Sequence, residues 1–134
     1  MGGGLLGRKR MESIVLEDII KAYLFPDVPL RLHTILWDDR HKKVAGVNYS
    51  REFQEYIRHK EEIEQRLLEY GVTREKFLKK WNELLEKEDD GELVRLYFTG
   101  YNFSQLGREY FMSDRTVGRK IDRFIKKFFR SLFV

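Results

Sequence analysis

The pattern that most restricts the fold of this chain is a long amphipathic segment near its carboxyl end. After Ser113, a residue type that often caps the start of a helix, apolar residues recur at intervals of three and four. They are Val117, Ile121, Phe124, Ile125 and Phe128. A stripe of this length predicts a helix of four turns that buries one side and leaves the other in solvent.

Two shorter helices are predicted just ahead of this segment. Asp90 is a suitable cap for the first, residues 99–102 favour a turn, and Ser104 is expected to begin the second. The second helix ends at Tyr110, so only Phe111 and Met112 precede Ser113. Two helices joined by so short a link, the second of them basic, match a helix-turn-helix unit that reads duplex DNA.

The contact between these two helices should depend on four apolar residues and one glycine. Gly107 permits a close approach of the helices, although glycine weakens a helix by up to ~1 kcal/mol. Phe111 occupies the place where such turns often carry glycine, so we expect a turn without a left-handed residue or with a different link. The apolar residues expected to brace the pair are Leu106, Met112, Val117 and Ile121.

The rest of the chain is also mainly helical in pattern. Ser13 can cap a helix that runs to about Leu24, before Pro26. Residues 50–71 form a long amphipathic pattern whose apolar seam fits packing within the chain or across a dimer, and Gly71 is its expected carboxyl cap. Thr73 should cap the next helix, which ends in the acidic run 86–90, read as a solvated loop. Alternation within residues 30–47 slightly favours a short β-hairpin, while helical spacing also fits.

Charge is distributed unevenly along the 134 residues. The net charge is +4, yet residues 91–134 carry nine Arg or Lys against four acidic residues. This asymmetry suggests a polyanionic partner for the last third, and a solvated basic face is the alternative. The expected organisation is a flexible basic arm at 1–12, a helical accessory or oligomerisation region at 13–89 and a DNA-binding domain at 90–134.

Within that domain, the exposed positions near Ser113 are the candidate DNA contacts. Arg115 and Arg119 share one face, and a guanidinium can pair with guanine through two hydrogen bonds. The lysines around and beyond the helix tip, together with Arg130, are expected to bind phosphates. Gly118 is also expected to face the groove. The complete predicted contact set is Ser104, Gln105, Ser113, Asp114, Arg115, Thr116, Arg119, Lys120, Arg123, Lys126 and Lys127.

Two stretches in this region resemble a known family. Residues 97–107, which read Tyr-Phe-Thr-Gly-Tyr-Asn-Phe-Ser-Gln-Leu-Gly, and residues 112–117, Met-Ser-Asp-Arg-Thr-Val, are similar to the helix-turn-helix of bacterial sigma factor region 4. The similarity is closer to the sigma-region-4-like domains of phage late transcription regulators of the RinA and ArpU type, and it covers about residues 92–127. The resemblance implies DNA contacts at Arg115, Thr116 and Arg119.

These observations together predict a DNA-binding transcription regulator of the cytoplasm, from a bacterium or its phage, with double-stranded DNA as its partner and a homodimer as its form. Two alternatives stay open: a modulator that binds RNA polymerase, and a DNA-packaging protein like a small terminase subunit. The chain has no cysteine, and its histidines lie far apart in sequence. We therefore expect no metal. No nucleophile with a base and no nucleotide-binding loop can be assembled from these residues, so we expect no cofactor and no enzyme activity. The apolar runs are far shorter than the ~18 residues of a membrane span, so none is expected.

Overall fold

The computed structural model describes residues 8–27 and 49–134, and within them it contains six α-helices and no strand. The predicted mainly helical class is confirmed. The hairpin predicted at 30–47 lies outside the described residues. The helices are α1 Arg8–Leu24, α2 Tyr49–Glu69, α3 Arg74–Lys87, α4 Gly91–Phe98, α5 Phe103–Tyr110 and α6 Asp114–Leu132.

The chain divides into two compact units, Met1–Glu69 and Tyr70–Val134. This division differs from the predicted boundary at 89/90, because α3 belongs with the helices that follow it. Phe77 and Trp81 of α3 pack against aromatic side chains of α6, which local sequence patterns do not reveal. The carboxyl-terminal unit therefore contains four helices rather than three.

In the first unit, α1 packs against α2. The helix begins at Arg8 rather than at Ser13, so the second half of the predicted flexible arm is helical, while residues 1–7 lie outside the described part. Asp18 is buried, and its carboxylate accepts a hydrogen bond of 2.5 Å from the Tyr56 hydroxyl. Burial and this carboxylate raise the pKa of Tyr56, so the phenol stays neutral and keeps donating.

In the second unit, a cluster of aromatic rings holds α3, α4 and α6 together. Trp81 meets Phe98, Phe124 and Phe128 edge to face, with ring centroids 5.3, 5.5 and 5.0 Å apart. Phe77 meets Phe128 in the same manner at 4.9 Å. Edge-to-face pairs add about 0.5–1.5 kcal/mol each beyond their buried area. This cluster buries one side of α6 and leaves the opposite side in solvent.

Helix caps are predicted at the end of α2 and at the beginnings of α3 and α4, and the structure can be compared with each. Gly71 has φ +66, the left-handed conformation expected after the end of α2. The predicted cap of α3 is confirmed, because the Thr73 side chain accepts a hydrogen bond of 3.1 Å from the Lys76 amide. Asp90 occupies the predicted N-cap position before Gly91, but its side chain makes no capping hydrogen bond. Its carboxylate instead lies 3.6 Å from the Lys120 ammonium.

Candidate nucleic-acid interface

The amino end of α5 is fixed by a reciprocal capping box. The Asn102 side chain accepts a hydrogen bond from the Gln105 amide, and the Gln105 side-chain oxygen accepts one from the Asn102 amide, each at 2.8 Å. The helix therefore begins at Phe103 rather than at Ser104. Gln105, a predicted DNA contact, has its side-chain oxygen engaged in this cap.

Helices α5 and α6 are joined by three residues, Phe111 to Ser113. Phe111 adopts the left-handed conformation (φ 57, ψ 50), so the expectation of a link without a left-handed residue is wrong. The Met112 amide donates to the Gly107 carbonyl at 2.8 Å. A Cβ at Gly107 would lie 2.5 Å from the Met112 carbonyl oxygen, so it is the link between the helices that passes close to Gly107 and leaves no room for a side chain there.

Replacement of Phe111 by glycine should stabilise the protein. Its side chain is 95% exposed, so it gains almost nothing from packing while its backbone is in a region that favours glycine. We expect Phe111→Gly to raise the free energy of unfolding by about 1 kcal/mol in a denaturant titration. Phe111→Ala keeps the left-handed strain and should show no such gain; equal stabilisation by both variants would refute this explanation.

The apolar brace between α5 and α6 forms largely as predicted. Leu106, Val117 and Ile121 are buried, and Met112 is half-buried. The two helices pack directly on each other, and α4 contacts both. This packing holds α6 by its apolar side and so decides which of its residues face solvent.

Hydrogen bonds also fix the first turn of α6. The predicted cap is confirmed, because the Ser113 hydroxyl accepts from the Thr116 amide at 3.1 Å, and it donates to the Thr116 hydroxyl at 3.0 Å. The Ser104 hydroxyl donates to the Asp114 carboxylate at 2.9 Å, which ties the first turn of α5 to the first residue of α6. Ser104, Ser113 and Asp114 are exposed. These predicted DNA contacts thus position α6 through bonds to one another.

Three arginines form one exposed face of α6. Arg115, Arg119 and Arg123 follow each other at intervals of four, opposite the buried side chains of Val117 and Ile121, and span about 12 Å along the helix axis. Among the residues that the structure describes, no carboxylate lies within 4.0 Å of these guanidiniums. We call this face the arginine stripe.

The predicted phosphate-binding lysines of α6 differ from the arginines, because each is paired with a carboxylate. Lys120 lies 3.6 Å from Asp90, Lys126 lies 3.1 Å from Asp122, and Lys127 lies 2.9 Å from Glu88. Glu88 and Asp90 belong to the acidic run that the sequence predicts to be a solvated loop; they do lie in the turn between α3 and α4, but both are half-buried and paired with lysines of α6. Nothing local in the sequence indicates that the run lies beside α6.

Sequence reasoning also missed an aromatic neighbour of α6. Phe103 packs against Gly118, where an added Cβ would lie 3.0 Å from the ring, so Gly118 does not simply face a groove as predicted. The Tyr97 and Phe103 rings are 5.5 Å apart. Nearby at the end of α5, burial and the negative charges of Glu92 and Glu109 raise the pKa of Tyr110. Tyr97 is half-buried and Phe103 is exposed, and the one sequence feature that points to this pair of rings is the aromatic-rich stretch to which both residues belong.

The described residues, 8–27 and 49–134, contain no group of three or more His, Asp or Glu side chains arranged to hold a metal ion. Of the histidines, only His59 lies in this part, 4.0 Å from Glu62. No described helix combines the length and the apolar character that crossing a membrane requires. Comparisons with protein-family models, with curated proteins and with solved structures find no match for this chain.

Proposed function

We propose that this protein is a sequence-specific regulator of transcription that binds double-stranded DNA by placing α6 in the major groove. The arginine stripe carries this proposal. Three exposed guanidiniums lie on one helix face, with no described carboxylate within 4.0 Å of them, and they form a surface for a polyanion. The sequence resemblance to sigma factor region 4 supports the same assignment.

The dimensions of the unit suit this role. An α-helix with its side chains is about 10–12 Å wide, and the major groove of B-DNA is about 12 Å wide. The helix must be held from behind, and the aromatic cluster of α3, α4 and α6 does so. The link to α5 leaves the first two turns of α6 on the surface, where Arg115 and Arg119 are exposed.

The three arginines of the stripe would contact different parts of the DNA. Arg115 and Arg119 lie in the first two turns and would read base edges, where a bidentate pair with guanine gives about 1–3 kcal/mol of discrimination. Arg123 lies one turn further along and, with the exposed Arg130, would contact phosphates. Lys120 and Lys127 would contribute less than the sequence suggests, because they already pair with Asp90 and Glu88.

The proposal extends to the assembly and to the partners. A homodimer, formed through residues of the first unit, would present two copies of α6 to half-sites about one DNA turn apart. RNA polymerase would be a further partner of a transcription regulator. The cytoplasm is the compartment in which a bacterial regulator of this kind would act, and no catalytic step is part of this proposal.

Arg119→Ala tests the proposal. For the duplex that the full chain selects from a random-sequence pool, we expect affinity to fall about 5- to 150-fold and base preference to relax at one position. Lys79→Ala is the matched control, because it also removes one exposed cation, from the side of α3 opposite its buried Phe77 and Trp81. It should leave affinity and base preference unchanged in binding titrations at several salt concentrations.

Lys127→Ala tests whether Lys127 binds phosphate, as the sequence predicts, or is held by its ion pair with Glu88, as the structure indicates. If Lys127 bound phosphate, its loss would weaken binding to all sequences and reduce the salt slope by about one unit. Because Lys127 is paired with Glu88, we expect a change in slope well below one unit. Absence of any salt-dependent duplex binding would contradict the proposal, and capture of polymerase without DNA or ring assemblies in solution would favour the two alternatives.

A further inference from the structure

An exposed phenylalanine ring, Phe103, and a half-buried tyrosine ring, Tyr97, border the arginine stripe, and the stripe alone does not explain them. The Phe103 ring is 37% exposed although it packs against α6 at Gly118. Tyr97 covers part of the same ring, with centroids 5.5 Å apart and planes inclined by 33°. The two rings, with Asn102 and Ser104, line an open recess of about 480 Å³. We call Tyr97 and Phe103 the aromatic pair.

The aromatic pair lies on a defined side of α6. Gly118 directly precedes Arg119 and is three residues after Arg115, so the ring packed on it borders the first two turns of the stripe. Lys120, which is paired with Asp90, lies on the opposite flank of the same face. The exposed side of α6 thus has the arginine stripe in its middle, the aromatic pair on one flank, and Lys120, paired with Asp90, on the other.

The position of Phe103 depends on glycine at position 118 of α6. Glycine inside a helix is less favourable than alanine by about 0.5–1 kcal/mol, and α6 contains one at position 118. An alanine there would bring Cβ to 3.0 Å from the Phe103 ring, so glycine allows the ring to sit against the helix backbone. A ring seated only to fill the core would be covered, yet more than a third of this one stays in solvent.

We propose that the aromatic pair contacts the 5-methyl group of a thymine in the major groove, so that the preferred duplex carries a thymine beside the base pairs that the stripe reads. This inference rests on the proposed function. The thymine methyl is the apolar group that base edges present in that groove, and phenylalanine is one of the side chains that contact it. The neighbouring unpaired arginines favour a nucleic acid over an apolar peptide as the occupant.

The same geometry favours duplex DNA over a single strand. Stacking of an unpaired base needs an open ring face. The Phe103 ring is partly covered by Tyr97 and lies against Gly118, so it offers a limited apolar surface suited to a methyl group. The capping box at Asn102 and Gln105 fixes the start of α5, so this surface is held in place before DNA arrives.

Deoxyuridine substitution tests the inference, because it removes the methyl group and leaves base pairing unchanged. The full chain first selects a duplex from a random-sequence pool, and each thymine is then replaced singly by deoxyuridine. We expect wild-type affinity to fall about fourfold at one or two positions, the effect of one buried methyl. Phe103→Ala should bind the thymine and deoxyuridine duplexes equally. If Phe103→Ala melts at a lower temperature and is partly unfolded, Phe103→Leu should reduce the discrimination below about twofold.

Tyr101→Ala is the matched control, since Tyr101 is an exposed aromatic residue close in sequence to Phe103 but outside the aromatic pair. It should retain the fourfold discrimination. Salt-dependent duplex binding that is indifferent to deoxyuridine at every position would overturn this inference and leave the proposed function standing. Discrimination that survives in Phe103→Ala, or tighter binding of single strands, would overturn it as well. Failure to bind any duplex would overturn both.

Discussion

Truncation of Phe128 to alanine should produce the largest loss of stability in the carboxyl-terminal unit. The ring is fully buried and contacts the rings of Phe77, Trp81 and Phe129 at centroid distances of 4.9, 5.0 and 5.4 Å. Its removal leaves a cavity between α3 and α6, and such truncations lower the free energy of unfolding by about 3–5 kcal/mol. Denaturant unfolding followed by circular dichroism measures this loss.

The control for Phe128 is the same truncation at the surface. Phe111→Ala removes a ring that is 95% exposed and should change the free energy of unfolding by less than about 0.5 kcal/mol. DNA binding by Phe128→Ala should fall with its folded fraction, whereas Arg119→Ala should bind poorly while fully folded. A loss below about 1 kcal/mol for Phe128→Ala would show that the aromatic cluster does not hold α6.

Gly91→Ala should be the second severe change, because of a backbone collision. Gly91 is the first residue of α4 and is buried against the end of α3. A Cβ there would lie 1.8 Å from the Leu85 carbonyl oxygen and 2.7 Å from its carbon. Backbone atoms cannot move aside as a side chain does, so we expect a loss near the upper end of the ~1–3 kcal/mol typical of overpacking. Thermal and denaturant unfolding both report it.

Gly118→Ala is the matched substitution. The new Cβ would meet the Phe103 side chain at 3.0 Å, and a ring can shift by a few tenths of an ångström. Alanine also favours the helix by up to ~1 kcal/mol, so the net change in unfolding free energy should stay below about 1 kcal/mol. If Gly91→Ala and Gly118→Ala were equally stable, the close approach of α3 and α4 would not be the reason for glycine at 91.

The sequence predicted the fold where regular spacing and helix caps agree. The stripe from Val117 to Phe128 located α6, and Ser113 and Thr73 cap their helices as expected. The errors occurred where caps compete locally. Asn102 and Ser104 are both good capping residues, and the reciprocal bond with Gln105 decided for Asn102. Asp90 has the right chemistry for a cap, but its carboxylate is turned toward Lys120.

By itself, the sequence determined that the chain is mainly helical, where α6 begins, and that Arg115, Arg119 and Arg123 share its solvent side. It could do so because these properties depend on residues within a few turns of one another. Only the tertiary structure decided that Glu88 and Asp90 pair with two lysines of α6, that Phe111 accepts a left-handed backbone, and that Phe103 lies against Gly118. Those outcomes depend on contacts between different helices, whose relative placement no local period encodes.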